Sequence, residues 1–293
     1  KDLKSTRSGT IKSQVIPNGV TIQNGNSNIK KTSTSRYLFI GRLHPIKGIE
    51  ELVTAMVGTR KDICLDIMKN IADDSVDFIL CDLPYGVTRN KWDIIVPFKE
   101  LWKQYNRIIK KNGAIVLFGS QPFTTLLISS NMKDFRYCLV WEKNKFSDFL
   151  NANRKPMKTN EDLCVFYKRL PTYNPQYWYS TPYERWNTQK AVDKQTNYGK
   201  HKKNKVKSDG RRLPTTVLKF NRVERPKHPT QKPVDLLEWL IRTYTNEGDI
   251  VLDNCMGIGS TGKAAKNMKR KFIGIEKDKT YYEKAVKFIN DEL

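Results

Sequence analysis

Two short runs in this chain of 293 residues hold side chains that could do chemistry together. The first is Asp-Leu-Pro-Tyr at 82–85, directly after an apolar run at 76–80. A carboxylate such as Asp82 can accept one hydrogen of an exocyclic amine on a nucleobase. A backbone carbonyl fixed by proline, that of Pro84, can accept the other and turn the nitrogen lone pair toward an electrophile. The ring of Tyr85 can stack on a base turned out of a duplex. Pro-Tyr-Gly also makes an ordinary turn, and this run alone leaves the two readings level.

The second run, 250–261, reads as strand, tight loop and helix, with Asp253, Cys255, Gly257, Gly259 and Ser260 in the loop. The glycines let a ligand approach the backbone, and the helix that follows presents free N–H groups. Glu276 closes the next apolar run, about twenty residues on, where a carboxylate can accept from both ribose hydroxyls. Together these residues point to a nucleoside-containing cofactor. They do not separate a dinucleotide from S-adenosylmethionine.

Elements of suitable period flank both runs. Strands are expected at 37–40, 76–80, 114–118, 136–141, 162–167, 250–252 and 272–275. Helical spacing covers 49–56, 63–70, 98–110, 124–130, 233–244, 262–268 and 281–290. Strands alternating with helices predict an α/β sheet with crossover connections. Residues 1–35 are polar. Residues 168–227 carry 16 Lys and Arg against 4 Asp and Glu, with eight aromatics among them, and read as an irregular basic insertion.

Composition sets outer bounds. Lys and Arg number 53 and Asp and Glu 30, a net charge of +23, which favours a polyanionic partner such as nucleic acid. The 38% hydrophobic content is enough for a core. No apolar run approaches the roughly 18 residues of a membrane span, and the N-terminus shows no apolar signal region. The five cysteines form no CxxC pair and there are only three histidines, so no metal site is expected and the expected compartment is reducing and cytoplasmic. The chain starts at Lys1 rather than Met, as a partial reading frame would.

Taken with a third motif, His-Pro-Thr-Gln-Lys-Pro at 228–233, residues 60–293 resemble the β class of amino-group DNA methyltransferases, which modify N6 of adenine or N4 of cytosine. Weaker matches lie at 113–120 and 161–167. The resemblance implies a class I, Rossmann-like methyltransferase sheet, permuted so that the catalytic loop precedes the cofactor loop. It implies S-adenosylmethionine as cofactor, and DNA as partner. Asp82, Pro84 and Tyr85 would be catalytic. Asp253, Cys255, Gly257, Gly259, Ser260 and Glu276 would hold the cofactor, with Thr230, Gln231 and Lys232 at its methionine part. Residues 168–227 become the target-recognition region, with Arg185, Lys202, Lys203, Arg211 and Arg212 as candidate DNA contacts. Asp at the first catalytic position points to adenine N6, with cytosine N4 or a catalytically weak DNA-binding relative as alternatives. The family admits a homodimer and a cognate restriction endonuclease as further partners, in a bacterial or phage-infected cell. Two departures stand out. Leu83 replaces a usual first proline, and Cys255 replaces a common phenylalanine that borders the cofactor adenine. Amine methylation needs no covalent intermediate, so Cys255 is not expected to act as a nucleophile.

Residues 11–57 resemble something else, the start of the C-terminal domain of a GT-B glycosyltransferase, with Arg42 and Lys47 matching its diphosphate-binding pair. The acidic donor-binding motif of that domain is absent, and so short a piece cannot complete a core. The expectation is a fragment without glycosyl transfer in 1–57, followed by the methyltransferase in 58–293.

Overall fold

The computed structural model describes residues 37–42, 52–57, 63–88, 90, 93–186, 205–226, 228 and 230–292. In chain order the elements are β1 (Tyr37–Arg42), β2 (Leu52–Val57), α1 (Ile63–Met68), β3 (Val76–Cys81), α2 (Phe98–Ile108) and β4 (Ile109–Gly119). Next come α3 (Phe123–Ser130), β5 (Phe135–Ser147), β6 (Lys158–Phe166), β7 (Trp178–Tyr179), β8 (Tyr183–Trp186), β9 (Lys205–Ser208), β10 (Arg211–Arg212) and β11 (Val217–Lys219). The chain closes with α4 (Val234–Tyr244), β12 (Ile250–Asp253), α5 (Ser260–Asn267), β13 (Lys271–Gly274) and α6 (Lys279–Ile289).

Nine strands form one sheet in the order β1-β2-β13-β12-β3-β4-β6-β5-β11. The run from β2 to β4 is parallel, and β6 is antiparallel to both β4 and β5. Side chains alternate across this sheet with period two. Phe78, Leu80, Val116 and Phe118 pack on one face with Leu237, Leu240 and Ala264 from α4 and α5. Ile79, Ile115 and Leu117 pack on the other with Ile67, Leu101, Tyr105 and Leu127 from α1, α2 and α3. Central strands buried on both faces require near-continuous apolar runs, which is how 76–80 and 114–118 read.

Three expectations change. Residues 52–57 form a strand, not a helix. Their apolar spacing suits either, but Val53, Thr54 and Val57 are β-branched, and pairing with β13 decides the matter. Residues 168–227 are not wholly irregular. They hold two short ribbons, β7 with β10 and β8 with β9, and they return β11 to the main sheet beside β5. Strand β4 starts at Ile109, directly after α2, rather than at 114. Gly113 permits this tight join, because a Cβ there would lie 2.7 Å from the Ile109 side chain and 2.8 Å from the Asp77 carbonyl oxygen.

Candidate active site

Strands β13, β12, β3 and β4 are parallel and end on one edge of the sheet. The chain leaves β3 toward β4 on one side and leaves β12 toward β13 on the other. The point between β3 and β12 is therefore a topological switch, where open α/β sheets bind ligands. A cavity of about 560 Å³ lies there. Asp82, Pro84 and Tyr85 line it together with Thr230, Gln231, Lys232, Asp253, Cys255, Gly257, Ser260 and Glu276, so three separate sequence motifs meet.

The loop after β3 is held at both ends. Leu83 is buried in the core beside Cys81 and Val96, so the departure from proline anchors the loop by packing instead. The residues after Tyr85 are tied by Asp93, which sequence reasoning missed. Its carboxylate accepts from the backbone N–H groups of Gly86 (2.8 Å), Val87 (3.0 Å) and Thr88 (2.6 Å). Burial opposes ionisation of Asp93, but the hydrogen bonds from Thr88, Gly86 and Val87 outweigh it and lower its pKa. Between these anchors, the Tyr85 hydroxyl donates to Asp82 Oδ1 at 2.7 Å, and the Tyr85 ring stacks on Phe123 with centroids 4.8 Å apart.

Asp82 has a second partner. Lys232, expected to face the cofactor, forms an ion pair with Asp82 Oδ2. Its Nζ also lies 3.4 Å from Glu161 Oε2, and Glu161 Oε1 pairs with Lys143. The ammonium of Lys232 sits 4.9 Å from the centre of the Phe118 ring. Burial raises the Asp82 carboxyl above the ordinary range, with Lys232 pulling the other way. Burial alone would lower Lys232, yet Asp82 and Glu161 carry it above its ordinary value, so the lysine is a cation. Lys143 carries no local motif and Glu161 only opens the weakly matching strand 161–167; the pairing of Glu161 with Trp141 across β5 and β6 brings them here.

The cofactor loop is braced from within. Asp253 Oδ1 accepts from the Cys255 N–H (3.0 Å) and Oδ2 from the Thr261 hydroxyl (2.7 Å). Burial pushes Asp253 up to about 6. Tyr105 of α2 donates to Asn254 Oδ1 at 2.5 Å and fixes the loop from beneath. Gly257 and Gly259 have φ of +53° and +80°, which favour glycine. Gly259 does not line the cavity. It caps α5, and a Cβ on it would lie 3.0 Å from Ala285 and Ile289 of α6. Glu276 accepts from the N–H groups of Gly257 and Asp278, each at 2.9 Å, and burial pushes it up to about 7. His228 packs edge-on against Tyr281 and bonds the Thr230 hydroxyl at 3.1 Å. A hydrogen bond from Cys64 favours the Cys255 thiolate, but contact with Cys81 and burial outweigh it and hold Cys255 well above the ordinary thiol range. A neutral thiol is a poor nucleophile.

The basic segment presents cations on aromatic rings. Arg185 and Arg212 lie over Tyr183 at 5.2 and 4.9 Å, and Arg211 lies over Tyr177 at 5.4 Å. Trp178 and Tyr179, on the strand paired with β10, are exposed. Lys202 and Lys203 lie outside the described residues.

A doubly covered α/β sheet, a glycine loop after one strand, an acidic residue after the next and a polar Asp-Leu-Pro-Tyr loop beside them define a class I methyltransferase. The sequence model of the N6/N4 DNA methylase family matches residues 76–287, and the chain belongs to that family of DNA methyltransferases. It is 30% identical over 251 residues to the type II methyltransferase M2.DpnII of Streptococcus pneumoniae, covering 77% of this chain and 86% of that protein. It is 29% identical over 231 residues to the DNA adenine methyltransferase YhdJ of Escherichia coli K12, covering 73% and 76%. Among solved structures, the M1.HpyAVI–SAM complex superposes with a TM-score of 0.53 and 26% identity, covering 80% of this chain and 99% of that one. The glycosyltransferase resemblance of residues 11–57 is not borne out. Strands β1 and β2 pair antiparallel, and β2 extends the methyltransferase sheet beside β13. Arg42 ends β1, and Lys47 lies outside the described residues.

The family uses S-adenosylmethionine, and the cavity fits it. Ser260 Oγ is buried in the first turn of α5 with no hydrogen-bond partner, as a ligand-facing hydroxyl would be. Each oxygen of Glu276 accepts one N–H and keeps a lone pair for a ribose hydroxyl.

Proposed function

We propose that this DNA methyltransferase methylates the N6 amine of adenine. The observation that carries the reading is the meeting of Asp82, Pro84 and Tyr85 with the Gly257–Glu276 pair in one cavity. Asp82 accepts one amine hydrogen and the Pro84 carbonyl the other, which aims the nitrogen lone pair across the cavity. Tyr85, backed by Phe123, offers a ring on which an extruded base stacks. Ser260, Glu276, Thr230 and Gln231 hold S-adenosylmethionine, which when bound supplies an electrophilic methyl group. Asp at the first catalytic position supports adenine over cytosine in the resembled class, and so does the adenine specificity named for YhdJ.

The cation and aromatic surface of 177–185 and 205–212 faces DNA in this reading, with the arginines on phosphates and the rings on bases. The methyltransferase domain takes in β1 and β2, which extend its sheet, together with 58–293, and 168–227 is its target-recognition segment. The type II designation of M2.DpnII supports a restriction-modification setting with a cognate endonuclease, in the cytoplasm of a bacterial or phage-infected cell. Incubating the purified protein with duplex DNA and methyl-labelled donor tests the reading. Label passes to DNA with the native protein and not with Asp82→Ala. Equal labelling by both proteins overturns the role of Asp82.

A further inference from the structure

Both oxygens of Asp82 are occupied, Oδ1 by the Tyr85 hydroxyl at 2.7 Å and Oδ2 by the Lys232 ammonium. Each oxygen keeps a second lone pair, but the Lys232 ammonium stands on Oδ2 and competes there with an amine hydrogen. Beside this carboxylate lies a second one, with an oxygen that has no hydrogen bond. Glu161 Oε2 is buried and makes no hydrogen bond, and the same Lys232 Nζ lies 3.4 Å from it. The other oxygen of Glu161 is fixed by Lys143, so the free oxygen stays aimed at the lysine. A buried carboxylate oxygen without a hydrogen bond is costly, and it marks an incomplete arrangement.

We propose that Glu161 is a positioning residue for the reaction inferred above: it takes the Lys232 ammonium when Asp82 engages the substrate amine. The proposal rests on that reading of Asp82. The movement is small. Closing 3.4 Å to the ~2.8 Å of a charged N–H···O bond needs about 0.6 Å at the end of a flexible side chain. The Phe118 ring beneath the ammonium serves both positions. Two carboxylates and two ammonium groups, Asp82, Glu161, Lys232 and Lys143, balance before and after, so no net charge is moved into the cavity. The exchange completes the bonding of Glu161 as it frees Asp82 Oδ2.

The test is steady-state methylation of duplex DNA by the full-length native protein and its variants, with donor and DNA affinities measured separately. Glu161→Gln keeps the shape and removes the competing charge, which traps Lys232 on Asp82. Its kcat is expected to fall about 10- to 100-fold, the range of one hydrogen bond to a charged group, with both affinities unchanged. Glu161→Asp, which keeps the charge farther away, falls between. Removing the trapped ammonium then helps, so Glu161→Gln with Lys232→Gln is faster than Glu161→Gln alone, a rescue that a merely structural role does not allow. If Glu161→Gln does not fold by circular dichroism, the same comparison is made between Glu161→Asp and Glu161→Asp with Lys232→Gln. Native kcat in the single variant, or a double variant slower than the single, overturns the proposal. No methyl transfer by the native protein overturns instead the function on which it rests.

Discussion

Glu276 makes cofactor affinity depend on pH in a calculable way. Its carboxylate is pushed up to about 7, burial being the main cause, with the N–H groups of Asp278 and Gly257 holding it down only in part. Ribose hydroxyls need an ionised acceptor there, so protons and cofactor compete. With a pKa of about 7, roughly a tenth of the protein is ionised at Glu276 at pH 6 and roughly nine tenths at pH 8. Affinity for the demethylated cofactor product should therefore rise about tenfold from pH 6 to pH 8, or ~1.4 kcal/mol. Asp253, pushed up to about 6, titrates nearby but keeps both oxygens on its own loop, so it is not the competing acceptor. Isothermal titration calorimetry at several pH values measures the rise, and Glu276→Gln should flatten it. A flat native profile, or the same slope in the variant, would refute the argument. The empty protein shows the opposite sign in stability. A carboxylate raised above its unfolded value stabilises fully below about pH 4.5 and loses that contribution as pH climbs through about 7.

Three further outcomes follow from other parts of the site. Gly259→Ala places a side chain at φ +80° and 3.0 Å from Ala285 and Ile289, and should cost at least about 1–2 kcal/mol in urea unfolding, with weakened donor binding. Asp93→Ala strands three N–H groups after Tyr85 and should lower kcat more than global stability; the native contribution of Asp93, whose pKa is lowered, is present above about pH 4 and lost as pH falls below it, which a thermal-melt series with pH reads directly. Arg211→Ala with Arg212→Ala should reduce the slope of log affinity for DNA against log salt by up to about two, without changing donor affinity, as filter binding at several salt concentrations would show.

The fold was legible where the local pattern and the tertiary environment agree. The apolar runs at 76–80 and 250–252, each closed by a polar loop, announced both the parallel sheet and the edge where Asp82 and Asp253 lie. At 52–57 local spacing misled, because strand pairing with β13 decides between two elements that the residues tolerate equally. The motifs identified which loops meet but not how their side chains aim. Lys232 reads as a cofactor contact from its neighbours Thr230 and Gln231, yet it reaches across 150 residues to Asp82. Tyr105 and Asn254 are 149 residues apart, and nothing in the helical face of α2 distinguishes a tyrosine that packs from one that also braces a loop. Asp93 and Lys143 lie in no motif, and Glu161 stands at the start of a weakly matching strand with no role assigned to it. A charged residue in a strand or loop is usually solvated, and only the fold shows that these three are turned inward.

Nucleoside analysis tests the central claim most directly. DNA is incubated with the native protein and methyl-labelled donor, digested to nucleosides and separated by chromatography with mass detection. Label is expected in N6-methyl-2′-deoxyadenosine alone, and absent with Asp82→Ala. Label in N4-methyl-2′-deoxycytidine, or no labelled nucleoside from the native protein, would contradict adenine methylation by this site.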